Sequence, residues 1–472
     1  MNTFVSAVDN QEARTLNGMK AFKDTSNALV DLFFKAGAMR GQDIVPFFVA
    51  AYVEDKYLAA RIALWMRDIR GGAGERQLFR DILNYLEVHD PELCETLLPK
   101  IQEIGRFDDY FSFKTRFMLN KGFYFVAKAL TEGNKLAGKW SPRKKSSRKS
   151  EKDLIAYRFR NYLGMKDDTE YRKFLVGNTE VIESLLCSKR WGEINYSQAP
   201  SLAHIRYRKT FFKHDSERYA AYAASLAKNE ENVKINAGEI YPYDVIKGYT
   251  LNKTEQDLIC EQWKVLPNYV GEASILPMVD VSISMCCTIS GNLTAMDVAI
   301  SLGLYLSDKN HGAFKDLFLT FSSNANLVKL RGNIIEKYEQ MITSEWGMTT
   351  DLHKAFEKIL TVAQSGKVSQ EEMPKILLIL SDMQFNRGIK FDDSAIEMIR
   401  RKYSNAGYEM PKIVFWNLNA HDNVPVKFLE NGVALVSGFS PSIMKSILKA
   451  DMKEFSPYTI MLNTIMDSRY DF

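Results

Sequence analysis

Two continuous apolar runs constrain this chain most: Ile275-Leu276-Pro277-Met278-Val279 and Ile376-Leu377-Leu378-Ile379-Leu380. Each ends in a polar turn that carries a carboxylate, Asp280-Val281-Ser282-Ile283-Ser284 after the first and Ser381-Asp382 after the second. A strand that is apolar at every position, instead of at alternate ones, is buried on both faces, as in a parallel sheet covered by helices. Helical spacing at Leu352, Phe356, Ile359 and Leu360 supplies one such cover. Residues 272–472 therefore read as a doubly wound α/β domain. In open sheets of this kind ligands sit beyond the carboxyl ends of the strands, near the switch in strand order. Asp280 and Asp382 both occupy strand exits, and the polar turn Trp346-Gly347-Met348-Thr349-Thr350-Asp351 adds a hydroxyl at Thr350. Asp280, Ser282, Ser284, Thr350 and Asp382 make a set of hard oxygen donors. Mg²⁺ takes such donors in an octahedron at about 2.0–2.1 Å and keeps some waters for a partner to displace.

This D-x-S-x-S string, with Thr350 and Asp382 downstream, resembles the metal-ion-dependent adhesion site of von Willebrand factor A domains. The resemblance runs from about Ala273 onward and implies that these five residues form the shell of Mg²⁺ or another divalent cation. It also implies capture of an acidic group on the open coordination position, with no catalysis. One departure is visible: where the family usually carries paired glycines in the threonine loop, Gly347 is followed by Met348-Thr349.

The chain of 472 residues exceeds one typical core, so more than one domain is expected. No apolar stretch approaches the roughly 18–20 residues that a membrane helix needs. The opening Met1-Asn2-Thr3-Phe4 lacks the layout of a signal peptide. Five scattered cysteines, with no zinc spacing and with adjacent Cys286 and Cys287 read as small buried residues, are consistent with a reducing cytoplasm.

Residues 1–271 read as helical nearly throughout. Leu29, Leu32, Phe33 and Ala36 recur at helical spacing, as do Leu58, Ile62, Leu64 and Trp65, then Leu78, Phe79, Ile82 and Leu86. Helices that cannot bury a face alone stack in pairs, which predicts a HEAT-like helical-repeat solenoid. The cluster Gly71-Gly72-Ala73-Gly74 is not a phosphate loop, because no Lys-Ser/Thr follows and no strand precedes. It reads as a helix-to-helix turn, with Arg67, Asp68, Arg70, Glu75 and Arg76 as a polar network between helices.

Formal net charge is only +4, but its distribution is uneven. Lys139 to Arg218 holds nineteen Lys and Arg against ten Asp and Glu, a surplus of nine that leaves the remaining chain at −5. Such asymmetry gathers polyanions, RNA among them. The stretch 139–152 reads as a mobile basic loop, since its part from Ser141 to Ser150, with Lys144, Lys145 and Arg148, has no apolar residue to bury and is able to touch phosphates. Two further stretches combine basic and aromatic residues: Glu170-Tyr171-Arg172-Lys173-Phe174, and Trp191 through His214-Asp215. Arg206, Lys209 and Lys213 share one helical face. The interleaved Tyr207, Phe211 and Phe212 have two readings: platforms for unpaired bases, or core with the cations facing water.

Arg67-Asp68-Ile69-Arg70-Gly71-Gly72-Ala73-Gly74-Glu75-Arg76, Gly105-Arg106-Phe107-Asp108-Asp109, Tyr171-Arg172-Lys173 and the Trp191-to-Asp215 stretch resemble the TROVE module of Ro ribonucleoproteins. With the A-like domain the similarity spans most of the chain, in the family's order, and lies nearer the prokaryotic and phage branch than the animal Ro autoantigen. It implies a helical ring closed by the A domain that binds small structured RNA and single-stranded or misfolded ends, often beside an exoribonuclease, in the cytoplasm of the organism or host. Arg172, Lys173, Arg206, Lys209, Lys213 and His214 are the residues to which the resemblance extends an RNA role.

No enzyme is legible. The six histidines form no HExxH or metal cluster, and neither Ser282 nor Ser284 sits in a Gly-x-Ser-x-Gly elbow. A phosphoryl-accepting aspartate usually has a second carboxylate two positions on, where Ser282 stands. The sequence thus favours a non-catalytic RNA-binding protein. The rival is a protein-interaction scaffold that uses its cation to capture an acidic partner without RNA.

Overall fold

A computed structural model describes residues 12–15, 20–144, 150–179, 181–228, 240–246, 253–320, 325–344, 351–385, 395–421, 423–449 and 454–472. Helices dominate up to Lys264, and a mixed, mostly parallel sheet with covering helices follows. A short antiparallel hairpin, β1 (Glu12–Arg14) and β2 (Lys20–Phe22), precedes the first helix.

Caps punctuate the helical region. Asn27 accepts from the Val30 N–H to open the helix Ala28–Ala36, and Asp55 accepts from Tyr57 and Leu58 to open Lys56–Arg67. Asp90 starts Pro91–Leu97 in the same way, each side chain satisfying N–H groups that lack an intrahelical partner. Leu29, Leu32, Phe33 and Ala36 are all buried, as are Ile62, Leu64, Trp65, Leu78, Phe79, Ile82 and Leu86, while Leu58 is half-buried. The glycine cluster is a turn between Lys56–Arg67 and Arg76–His89. There the Ala73 N–H donates to the Trp65 carbonyl at 3.2 Å, and a β-carbon on Gly72 would lie 1.9 Å from that oxygen, so only glycine fits.

The polar residues flanking the turn do form a network. Arg67 and Arg80 both grip the fully buried Asp109, at 2.8 and 2.7 Å. Arg40 pairs with buried Glu75 at 2.6 Å, and Asp68 receives Arg469 and the Tyr470 hydroxyl from the far end of the chain.

The sheet comprises β3 (Ile275–Val279), β6 (Leu317–Thr320), β7 (Leu327–Lys329), β8 (Ile376–Ser381), β9 (Lys412–Asn417) and β10 (Val433–Ser437). A separate two-stranded piece, β4 (Thr288–Ser290) with β5 (Leu293–Thr294), follows the Asp280 turn. The order is β10-β9-β8-β3-β6-β7, parallel except for β6 with β7. The order places the first strand of the sheet, β3, beside β8, so the chain winds outward in one direction and then the other. The switch point of a doubly wound sheet lies between those two strands. β3, β8 and β10 are buried at every position, as their unbroken apolar sequences require.

Helical and sheet regions share one core. The first helix packs on β10, where the Gly37 N–H donates to Ser437 Oγ at 2.9 Å and a β-carbon on Gly37 would meet Gly438 at 2.6 Å. The last helices, Pro242–Ile246 and Lys253–Lys264, pack on the sheet's helices Ala295–Lys309 and Ile334–Ile342. Both ends of the helical region therefore meet the sheet region. Among the described residues no helix is long and apolar enough to cross a membrane.

Two expectations are corrected here. Cys286 is exposed and Cys287 half-buried, since the turn after β3 carries them to the surface; all five cysteines are free. The ends of the 139–152 stretch are tied down instead of loose. Lys139 lies in the helix Lys135–Trp140, Ser141 Oγ donates to the Ala137 carbonyl at 2.8 Å, and Ser150 caps Glu151–Tyr162. Arg143 holds the Lys139 and Gly138 carbonyls, both at 2.9 Å.

Candidate functional site

Strand register assembles the first site. Val279 of β3 sits beside Leu380 of β8, and the pairing continues as the Asp280 N–H donates to the Leu380 carbonyl at 2.9 Å. Asp280 therefore lies next to Ser381, whose hydroxyl donates to Asp280 Oδ2 at 2.5 Å. The Ser282 N–H closes a turn on Asp280 Oδ1 at 2.9 Å, and the Ser282 and Ser284 hydroxyls meet at 3.0 Å. Asp280 and Asp382 are both fully buried and Ser282 nearly so, whereas Ser284 is half-buried. Thr350 lies outside the described residues.

Two buried carboxylates share this edge without a lysine or arginine partner among the described residues. Burial, reinforced by the Asp382 charge, pushes the Asp280 carboxyl up to about 7. Asp382 Oδ2 is buried with no hydrogen-bond partner among the described residues. Its closest basic neighbour is His421, whose Nε2 stands 3.4 Å away and also meets the Asn419 amide at 3.3 Å. Gln384 braces the loop, its N–H donating to Asp382 Oδ1 at 3.3 Å and its side chain to Asn423 Oδ1 at 3.2 Å.

An uncompensated buried carboxylate costs several kcal/mol unless a proton or cation joins it. The donor set, two carboxylates with two adjoining hydroxyls, fits a hard divalent cation. Among the described residues no three His, Cys, Asp and Glu side chains gather as a complete metal cage. An ion there would rely on Asp280, Asp382, serine hydroxyls and water. Ser381, Gln384, His421 and Asn423 were missed in the sequence reading. Only Ser381 had a signal, because parallel register from two matched strands places it opposite Asp280.

The basic residues divide into two groups. Lys144 pairs with Asp168 at 3.1 Å, and Arg160 holds the same carboxylate at 2.7 Å. Lys139 pairs with Glu183, Arg218 with Asp215 at 2.9 Å, and Arg190 with Glu193. Lys145 and Arg148 lie outside the described residues. By contrast, Arg172, Lys173, Arg206, Lys209 and Lys213 are exposed, with no side-chain hydrogen bond or ion pair among the described residues, and the same holds for Lys152, Arg158, Lys166 and Lys189. Arg206, Lys209 and Lys213 form one stripe on the helix Ser201–His214. At its end His214 stacks flat on Trp191, with centroids 4.7 Å apart and planes 8° from parallel.

Their aromatic neighbours are packing, not platforms. Phe211 is fully buried, and Tyr207 and Phe212 lean on a second core with Ile194, Tyr196, Tyr219, Tyr222, Leu226 and Leu258. His204 sits in the same cluster between the Tyr219 hydroxyl (3.1 Å) and the Tyr196 carbonyl (3.0 Å), and burial pushes it down to about 4. Tyr171 is buried too, its hydroxyl donating to the Pro142 carbonyl at 2.8 Å. It belongs to the main core, so Arg172 and Lys173 stand on a different packing unit from the Arg206 stripe.

The 193–197 segment and the helix Ser216–Ala227 enclose an open groove of about 450 Å³, lined by Tyr196, Tyr222, Arg218 and Asn195 and by none of the stripe residues.

Comparisons with known proteins give partial relationships. Residues 125–275 match a family described as a domain of unknown function (DUF2828), and residues 274–464 match another so described (DUF7788). The chain is 26% identical over 509 aligned positions to "Uncharacterized protein L728" of Acanthamoeba polyphaga mimivirus, covering 96% of this chain and 86% of that one. A crystal structure of the Deinococcus radiodurans RO (RSR) protein is similar over 89% of this chain and 93% of its own, with a TM-score of 0.47 and 14% identity.

Proposed function

We propose that this protein is a non-catalytic, cytoplasmic RNA-binding protein of the Ro type that takes small structured or single-stranded RNA on its helical surface. One observation carries the reading: Arg206, Lys209 and Lys213 are left exposed and unpaired along one helix face, beside the Trp191–His214 stack. Five other cations of the same basic region, Lys139, Lys144, Arg160, Arg190 and Arg218, are spent on carboxylates. A surface lysine or arginine without an acidic partner costs nothing in water and is free to replace counterions on phosphates. The TROVE-like motifs support the same reading. With Tyr207, Phe211 and Phe212 committed to packing, affinity rests on phosphate contacts more than on base stacking. The helical region and sheet would form a closed ring, since both ends of the former meet the latter.

The Asp280–Asp382 edge is a site for Mg²⁺ or another divalent cation that offers a coordination position to an acidic partner. The buried, unpartnered Asp382 oxygen supports it. That same observation favours the second reading, a scaffold that captures a partner's carboxylate and needs no RNA.

Titrating labelled single-stranded RNA at several salt concentrations decides between them. RNA binding predicts that log affinity falls linearly with log salt, by about 0.7 for each phosphate contacted. Protein that binds no RNA at low salt leaves the scaffold.

A further inference from the structure

The loop after β9 brings a nitrogen donor to an edge otherwise built from oxygens. His421 Nε2 faces Asp382 Oδ2 across 3.4 Å, while the Asn419 amide meets the same nitrogen. That oxygen is fully buried and takes no hydrogen bond, so the imidazole does not serve it as an ordinary donor. Two ligands each about 2.0–2.1 Å from one ion, at a tetrahedral angle, lie about 3.3 Å apart. The Asp382–His421 gap matches that separation. His421 is partly exposed, as an ion entering from solvent requires, and Asn423 from the same loop is tied to Gln384 beside Asp382. His421 reaches Asp382 and not Asp280, in keeping with the absence of a three-member cage among the described residues.

We propose that His421 is a direct ligand of the cation held at Asp382, making this a mixed nitrogen–oxygen site that selects ions of the Co²⁺ and Zn²⁺ class over Mg²⁺. Imidazole suits those ions, whereas an all-oxygen shell suits Mg²⁺. The inference rests on the cation reading above but differs from it in the ion chosen and in the residue that chooses.

The test is calorimetric titration of the full chain with Co²⁺, Zn²⁺ and Mg²⁺, together with the visible absorption of bound Co²⁺. The wild type should bind Co²⁺ and Zn²⁺ more tightly than Mg²⁺. His421→Ala should weaken Co²⁺ and Zn²⁺ by about tenfold or more, shift the Co²⁺ bands, and leave Mg²⁺ within about twofold. His421→Gln, which keeps a hydrogen-bonding group beside Asp382, should lose Co²⁺ as the alanine variant does; circular dichroism verifies that both fold. Unchanged Co²⁺ affinity and spectrum in His421→Ala would overturn the proposal. So would equal losses of Co²⁺ and Mg²⁺ that glutamine restores, because the ring would then only position Asp382. A wild type that binds Mg²⁺ but not Co²⁺ or Zn²⁺ refutes the histidine's role alone. One that binds no divalent ion refutes the cation reading as well.

Discussion

Asp109 and Asp280 are both wholly buried carboxylates, and the molecule treats them in opposite ways. Asp109 is enclosed by Arg67, Arg80 and the Arg106 N–H at 2.7–2.9 Å, so its charge is repaid on the spot. Asp280 has a hydroxyl, one backbone N–H and a second carboxylate nearby. The first arrangement welds helices together. The second holds an unfavourable charge in place, which a protein tolerates where a ligand later compensates it.

The contrast fails or sharpens on four measurements. The largest effect belongs to Asp109→Ala, which strands the buried Arg67 guanidinium and leaves Arg80 with Asp108 alone. It should destabilise the protein by about 3–5 kcal/mol in urea unfolding, and a loss below 1 kcal/mol would mean the network is ornamental. Asp280→Asn should act with opposite sign, stabilising the metal-free protein at pH 8 by about 1.4 kcal/mol or more, the equivalent of one pKa unit, while abolishing divalent-ion binding. Loss of stability would place Asp280 in the same class as Asp109.

Third is the pH profile. The folded-state pKa of Asp280, about 7, lies above its ordinary value of 3.8, so the folded state holds more protons between them. This group's contribution is fully favourable below about pH 4 and fades as pH rises through 7. In metal-free protein Asp280→Asn should remove that part of the slope, and a saturating divalent ion should flatten it in the wild type. The smallest change in stability, within about 0.5 kcal/mol, is expected for Arg206→Glu with Lys209→Glu, because both side chains stand unpaired in water. The pair should still weaken RNA binding and lower the salt slope by about 0.7 per lost contact. An unchanged slope would move the RNA surface elsewhere.

Much of this was legible in the sequence. Strands apolar at every position announced a doubly covered sheet, and carboxylates at their exits foretold that Asp280 and Asp382 share one edge. Arg67, Asp68 and Glu75 read correctly as a network, because charges beside a glycine turn between apolar helices have few other uses. What could not be read depends on distant pairing. His421 is separated from Asp382 by a complete strand, Asp68 meets Arg469 across 401 positions, and no local pattern announces either contact. The aromatic residues near Arg206 left two readings open for another reason: helical spacing places Phe211 near a basic stripe, and only the fold shows that a second core around Tyr196 and Tyr219 claims it. Exposure of Cys286 was likewise set by the turn after β3, not by the character of cysteine.

The helix Ala28–Ala36 gains its cover from β10, and the Gly37–Ser437 hydrogen bond spans 400 positions. At about 5–20 residues per second, the ribosome delivers that strand about 20–80 s after the helix it shields. Through that interval the side of the helix that meets β10 stands uncovered in the nascent chain, while its other side can already pack on the helices that follow it.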